Sequence, residues 1–81
     1  MEIIRTTPSS IKVRVGDRVA KLTGESFARG YGSPDFIISS SSLEHWEAPL
    51  EDIPVTDLER RQIIEFALVA LRARGWDITC E

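Results

Sequence analysis

The residues able to carry chemistry are few. The chain holds one histidine, His45, one cysteine, Cys80, and a run of four serines from Ser39 to Ser42. His45 has carboxylates beside it in Glu44 and Glu47, so a metal site or a Ser-His-acid triad can be drawn on paper. A metal site of that kind needs further imidazole or thiolate ligands, and there is no second histidine and no paired cysteine. A triad needs its base held within hydrogen-bond reach of the nucleophile, and no spacing here holds it. His45 therefore reads as an exposed turn residue and Cys80 as a small core residue. Gly30-Tyr31-Gly32-Ser33-Pro34 lacks the lysine and the following helix of a phosphate loop. On these residues the chain is not an enzyme and has no metal site and no cofactor.

Charge says more. The net charge is −3, with residues 1–42 at +2 and residues 43–81 at −5. Between Leu43 and Glu59 lie six acids, Glu44, Glu47, Glu51, Asp52, Asp57 and Glu59, and no lysine or arginine. Such a stretch forms a negative field that speeds association with a basic partner and repels acidic ones. Asp57 and Glu59 are also where a helix start would place acids. The six are the candidate partner-binding residues. The opposite sign gathers at Lys12, Arg14 and Lys21, with Arg18 and Arg29 nearby and Phe27 and Tyr31 as stacking residues. That group supports an alternative, a small nucleic-acid-binding module using a basic sheet face. The plainer reading of it is the wet side of an antiparallel sheet.

The elements that must position these residues can be read along the chain. Eighty-one residues make one domain, 1–81, with a thin stability margin. Glu2 to Arg5 reads as a short strand, and Thr6 to Ser10 as a turn containing Pro8. Ile11 to Val15 alternates strictly, Gly16-Asp17 supplies a two-residue turn, and Arg18 to Leu22 returns. That loop length places Val15 opposite Arg18, Val13 opposite Ala20 and Ile11 opposite Leu22. Arg14 then faces Val19, and Lys12 faces Lys21. The strand continues through Phe27, with Gly24 at a bulge or bend. Residues 28–35 form a loop, Phe36 to Ser39 a strand, and the serine run its exit. Ser42 to Glu47 fits one helical turn with a serine cap. Pro49 and Pro54 keep the next stretch extended, with Trp46, Leu50 and Ile53 tucked inward. Thr56-Asp57-Leu58-Glu59 matches a capping box. The helix it opens, to Arg74, carries a broad apolar face of Ile63, Ile64, Phe66, Ala67, Leu68, Ala70 and Leu71, which is expected to supply most of the apolar surface available for a core, and Gly75 stops it. Trp76, Ile78 and Cys80 alternate as inward residues of a last strand. The fold class is α+β: a small two-layer domain, its mainly antiparallel sheet (order β-β-β-β-α-β) packed on one long helix.

The residues Ile3-Ile4-Arg5, the hairpin Ile11 to Leu22, Gly24-Glu25, Phe36-Ile37-Ile38, Ser42-Leu43 leading into Trp46-Glu47-Ala48-Pro49, and Glu59-Arg60 with Ile63-Ile64 together resemble the immunity protein 74 family of bacterial toxin systems. Trp46-Glu47-Ala48-Pro49 is the most distinctive piece. The resemblance implies an immunity protein that binds and neutralises a cognate toxin domain delivered by neighbouring cells, as in contact-dependent growth inhibition. It further implies a toxin that is often a nuclease, such as an RNase. A nuclease is basic where it holds phosphates, so an acidic surface suits it. A single cysteine, no apolar run near the ~20 residues of a membrane span and no signal-peptide pattern agree with a cytoplasmic protein without membrane or direct nucleic-acid partners.

Overall fold

A computed structural model describes residues 1–26 and 35–81. The strands are β1 (Glu2–Thr6), β2 (Ser10–Val15), β3 (Arg18–Ser26), β4 (Phe36–Ile38) and β5 (Ile78–Cys80), with one helix, α1 (Asp57–Arg72), between the last two. They form one sheet in the order β1-β2-β3-β4-β5. The first three ladders are antiparallel and β4 runs parallel to β5. A parallel pair needs a crossover connection, and α1 is the helix in it. The α+β order β-β-β-β-α-β is as expected.

The β2–β3 hairpin has the register its two-residue turn dictates, from Val15 opposite Arg18 to Ile11 opposite Leu22. Gly16 sits in that turn at φ +64°, a conformation open to glycine at no steric cost. The alternation puts Ile11, Val13, Ala20 and Leu22 on one face, all fully buried. Phe36, Ile38 and Ile78 extend that floor across β4 and β5. Helix α1 covers it with Ile63, Ile64, Ala67 and Leu71. The core is less helical than the sequence pattern implies. Of its fourteen buried apolar residues, the helix supplies these four, the sheet seven, and the connector before the helix three: Leu43, Trp46 and Val55. Phe66, Leu68 and Ala70 are only half-buried, because a narrow sheet accepts one stripe of a helix and leaves its flanks to solvent.

Three local expectations are corrected. Residues 42–47 do not form a helical turn; the turn is a 3₁₀ segment at Ser40–Ser42, and the chain then runs extended. The cause lies in β3. Beyond the three residues paired with β4, its edge toward Val19 has no strand to bond it. The connector fills the gap: Thr23 N–H donates to Ser42 Oγ at 3.1 Å, and Glu47 N–H donates to the Val19 carbonyl at 2.9 Å. Satisfying those groups outweighs one helical turn. Gly24 stands in regular register with Ile38, and the ladder irregularity falls instead between Ile3 and Arg5 of β1. Cys80 is exposed, and of the last three alternating residues only Ile78 is fully inward, while Trp76 tilts against Phe36 at 6.4 Å. Strand β5 is the edge of the sheet, so its end has a neighbouring strand on one side only. The loop expected at 28–35 falls, up to residue 34, outside the described residues, as do Phe27, Arg29 and Tyr31.

At Gly24 the neighbouring strand leaves no room for a side chain. A methyl group there would overlap the Ile37 carbonyl oxygen and come within 2.8 Å of Phe36 Cε1. Overpacking of this kind costs about 1–3 kcal/mol, and more against rigid backbone. Gly24→Ala is expected to lower Tm by 10 °C or more, on the basis of about 4–8 °C per kcal/mol for a domain this small. Thermal unfolding followed by circular dichroism measures it, and an unchanged Tm would refute the close approach.

Candidate functional site

The acidic stretch begins as the chain leaves β4 and ends in the first turn of α1. Leu43, fully buried, fixes its start, and Trp46, 2% exposed, fixes its middle. Leu43 and Trp46 enter the core, while Glu44 and His45 between them remain exposed. His45 and Pro54 form an isolated antiparallel bridge. Its bonds run from Trp46 N–H to the Ile53 carbonyl (3.4 Å) and from Val55 N–H to the Glu44 carbonyl (2.8 Å). The bridge pinches residues 46–53 into a loop of two turns, closed by Leu50 N–H on the Glu47 carbonyl and Ile53 N–H on the Leu50 carbonyl, both 3.0 Å. Leu50 and Ile53 pack partly against the core from within that loop. Glu51 and Asp52 occupy the middle of its second turn and are exposed. Across the bridge, Glu44 stands beside Val55, next to the helix cap.

The helix start holds the other two acids. Thr56 Oγ1 accepts the Glu59 N–H at 3.1 Å, and Glu59 Oε1 accepts the Thr56 N–H at 3.0 Å, the reciprocal box expected from the spacing. Asp57 accepts from Arg60 Nη1 at 2.7 Å. Arg60 also donates from Nε to the Leu43 carbonyl at 3.0 Å, tying the helix to the beginning of the connector.

The fold therefore divides the six predicted acids. Glu47 lies 4.0 Å from Lys12, Asp57 is held by Arg60, and Glu59 serves the cap with Arg18 at 3.9 Å. Glu44, Glu51 and Asp52 are exposed, with no ion pair or side-chain hydrogen bond among the described residues. Sequence reasoning missed Arg18, Lys12 and Arg60 as counter-charges. Arg60 was in reach, since an Asp three residues before an Arg on a helix is a known pairing. Arg18 and Lys12 come from the hairpin, and no local signal joins them to the connector. Arg18 also lies over the Trp46 ring, 5.4 Å from its centroid. The buried Trp46 indole N–H has no partner among the described residues.

The basic face is partly neutralised in the same way. Arg14 bonds to Glu2 across β1 and β2, and Lys12 meets Glu47. Arg5, Lys12 and Lys21 stand in one row across three strands. The aromatic residues expected to stack beside them, Phe27 and Tyr31, lie outside the described residues. His45 is exposed, and no group of three or more metal-ligating side chains occurs among the described residues. No described helix is long and apolar enough to cross a membrane.

Compared with known families, residues 3–81 match the family model described as immunity protein 74. No curated protein and no solved structure matches the chain.

The cap gives the site a pH signature. Glu59 titrates below its ordinary value of 4.5, first because it accepts the Thr56 backbone N–H, then through the Thr56 side chain, with a smaller lowering from Arg18 and an opposing rise from desolvation. A depressed carboxylate stabilises the fold above its unfolded value, and that contribution is lost as the pH falls through the folded one. Thr56→Ala is expected to cost about 1 kcal/mol at pH 7. Glu59→Ala is expected to destabilise at pH 7 and to converge on the wild type once the pH is below the folded value of Glu59. Urea unfolding at a series of pH values tests this, and a gap that does not change with pH refutes the role of the carboxylate.

Proposed function

The chain belongs to the immunity protein 74 family and is thus an immunity protein of a toxin system, and we propose that it neutralises its cognate bacterial toxin domain by binding through the acidic connector. The proposed contact residues are Glu44, Glu47, Glu51, Asp52, Asp57 and Glu59. The observation that carries this reading is the division among them: Glu44, Glu51 and Asp52 are exposed and make no ion pair among the described residues. Carboxylates without internal partners give up little on meeting cations, so they are the ones free to engage a partner. The other three keep negative charge at the rim while holding the connector together.

The partner we infer is a nuclease, such as an RNase, of a contact-dependent inhibition or similar polymorphic toxin system. Its phosphate-holding surface is cationic, and a compact loop carrying exposed acids fits such a surface by charge. The action is stoichiometric occupation, without catalysis, in the cytoplasm, where a delivered nuclease meets its substrate. Half-buried Leu50 and Ile53 beneath the loop keep it folded before contact, which reduces the ordering cost of binding.

Co-expression is the direct test. Cells producing the cognate toxin domain are expected to survive with this protein and to die without it. The triple variant Glu44→Lys, Glu51→Lys, Asp52→Lys is expected to weaken binding by at least about 100-fold, since close interfacial charge pairs couple by roughly 1.5 kcal/mol or more. The loss should appear mainly in a slower association rate and shrink as salt rises. Unchanged affinity in a folded triple variant would rule out the acidic-surface mechanism while leaving immunity itself intact.

A further inference from the structure

We infer that Arg18 is a positioning residue for the acidic connector, acting through Trp46 and Glu59 to hold the binding surface in shape; this role rests on the toxin-binding reading above. Arg18 is the first residue of β3, just after the hairpin turn. Its guanidinium carbon lies 5.4 Å from the Trp46 ring centroid, within the range of attraction between a cation and an aromatic face. Its Nη1 lies 3.9 Å from Glu59 Oε2. Trp46 is the buried anchor at the base of the pinched loop, and Glu59 closes the helix cap. One half-buried side chain thus touches all three parts that frame the acids: the sheet, the connector and the first turn of the helix.

Apart from Arg18, its buried Leu43, Trp46 and Val55, the Thr23–Ser42 bond and the Lys12–Glu47 pair, the connector is tied to the rest, among the described residues, by two polar contacts. Glu47 N–H reaches the Val19 carbonyl, and Arg60 reaches the Leu43 carbonyl. The backbone hydrogen bonds of Leu50 and Ile53 stay inside the loop. The loop and the helix start are otherwise joined through the His45–Pro54 bridge, one of whose two bonds is long at 3.4 Å. Arg18 adds a link between them that does not pass along the chain.

The sign of its charge makes the role separable from plain electrostatics. A cation set among acids weakens their attraction for a basic partner. If Arg18 acts by charge alone, neutralising it tightens toxin binding. If it positions the acids, neutralising it weakens binding in spite of the more negative surface.

The test uses Arg18→Met, which keeps an apolar stem over Trp46 without charge, and Arg18→Lys, which keeps the charge but not the planar fork. Amide hydrogen exchange on the free protein reads the connector through Glu47 and Val55 and the core through Ile11 and Leu22. Affinity is measured against the catalytically inactivated cognate toxin domain, at several salt concentrations. For Arg18→Met, exchange at Glu47 and Val55 is expected to quicken and affinity to fall, each by about tenfold, while core amides stay unchanged. Arg18→Lys is expected to recover part of both. Equal or tighter binding by Arg18→Met overturns the inference, as does core exchange rising in step with the connector. Failure of the wild type to bind that domain sinks the toxin-binding reading, and the positioning role falls with it; the two failures are told apart by the wild-type measurement.

Discussion

The open half of the β3 edge is the constraint on which the rest of this structure depends. Strand β3 has nine residues, and β4 pairs with only the last three. In the hairpin register, Val19 and Thr23 aim their backbone groups away from β2, and those groups must find partners. The chain meets this by turning back after β4 and laying the serine run and Glu47 along the gap. That path fixes where Leu43 and Trp46 enter the core and where the pinched loop emerges. The acids are displayed as they are because the edge had to be covered.

Charge follows the same geometry. Along the chain the connector is purely acidic, but in space it is laced with cations from elsewhere. Lys12 and Arg18 arrive from the hairpin and Arg60 from the helix. Exposed pairs of this kind contribute little to stability, each about 0–1 kcal/mol. Their larger effect is on the surface: they set aside three acids and leave Glu44, Glu51 and Asp52 uncommitted. An acidic run in a sequence is therefore an upper bound on an acidic surface.

Helix α1 has a smaller part in the core than its apolar pattern implies and a larger part as a frame. Its start is closed by the Thr56–Glu59 box, and its end by Gly75 at φ +89° with Trp76 N–H on the Leu71 carbonyl at 3.0 Å. Arg72 donates to the Ile78 carbonyl from both Nε and Nη2, fastening the short β5 that follows. With both ends fixed, the first turn becomes a stable wall beside the acidic loop.

What the sequence determined by itself is the part governed by neighbours along the chain. The hairpin register follows from the two-residue turn, the capping box from residues three apart, and the helix stop from one glycine. The alternation of Ile11 to Leu22 chose the buried face, and the succession of strands and helix along the chain followed from the patterns, while the order of the strands within the sheet came from the tertiary structure. Local sterics and period suffice for these, because each involves groups that are close whatever the rest of the molecule does. Only the tertiary structure decided the connector. Ser42 to Glu47 can form a helical turn in isolation, and it runs extended because β3 offers backbone groups far away in sequence. Cys80 alternates correctly and is still exposed, because it ends the strand at the edge of the sheet. The six acids were legible as a group, but which of them are engaged was not. Arg18 is 28 residues from Trp46 and 41 from Glu59, and no local pattern records a contact made only when sheet, loop and helix meet.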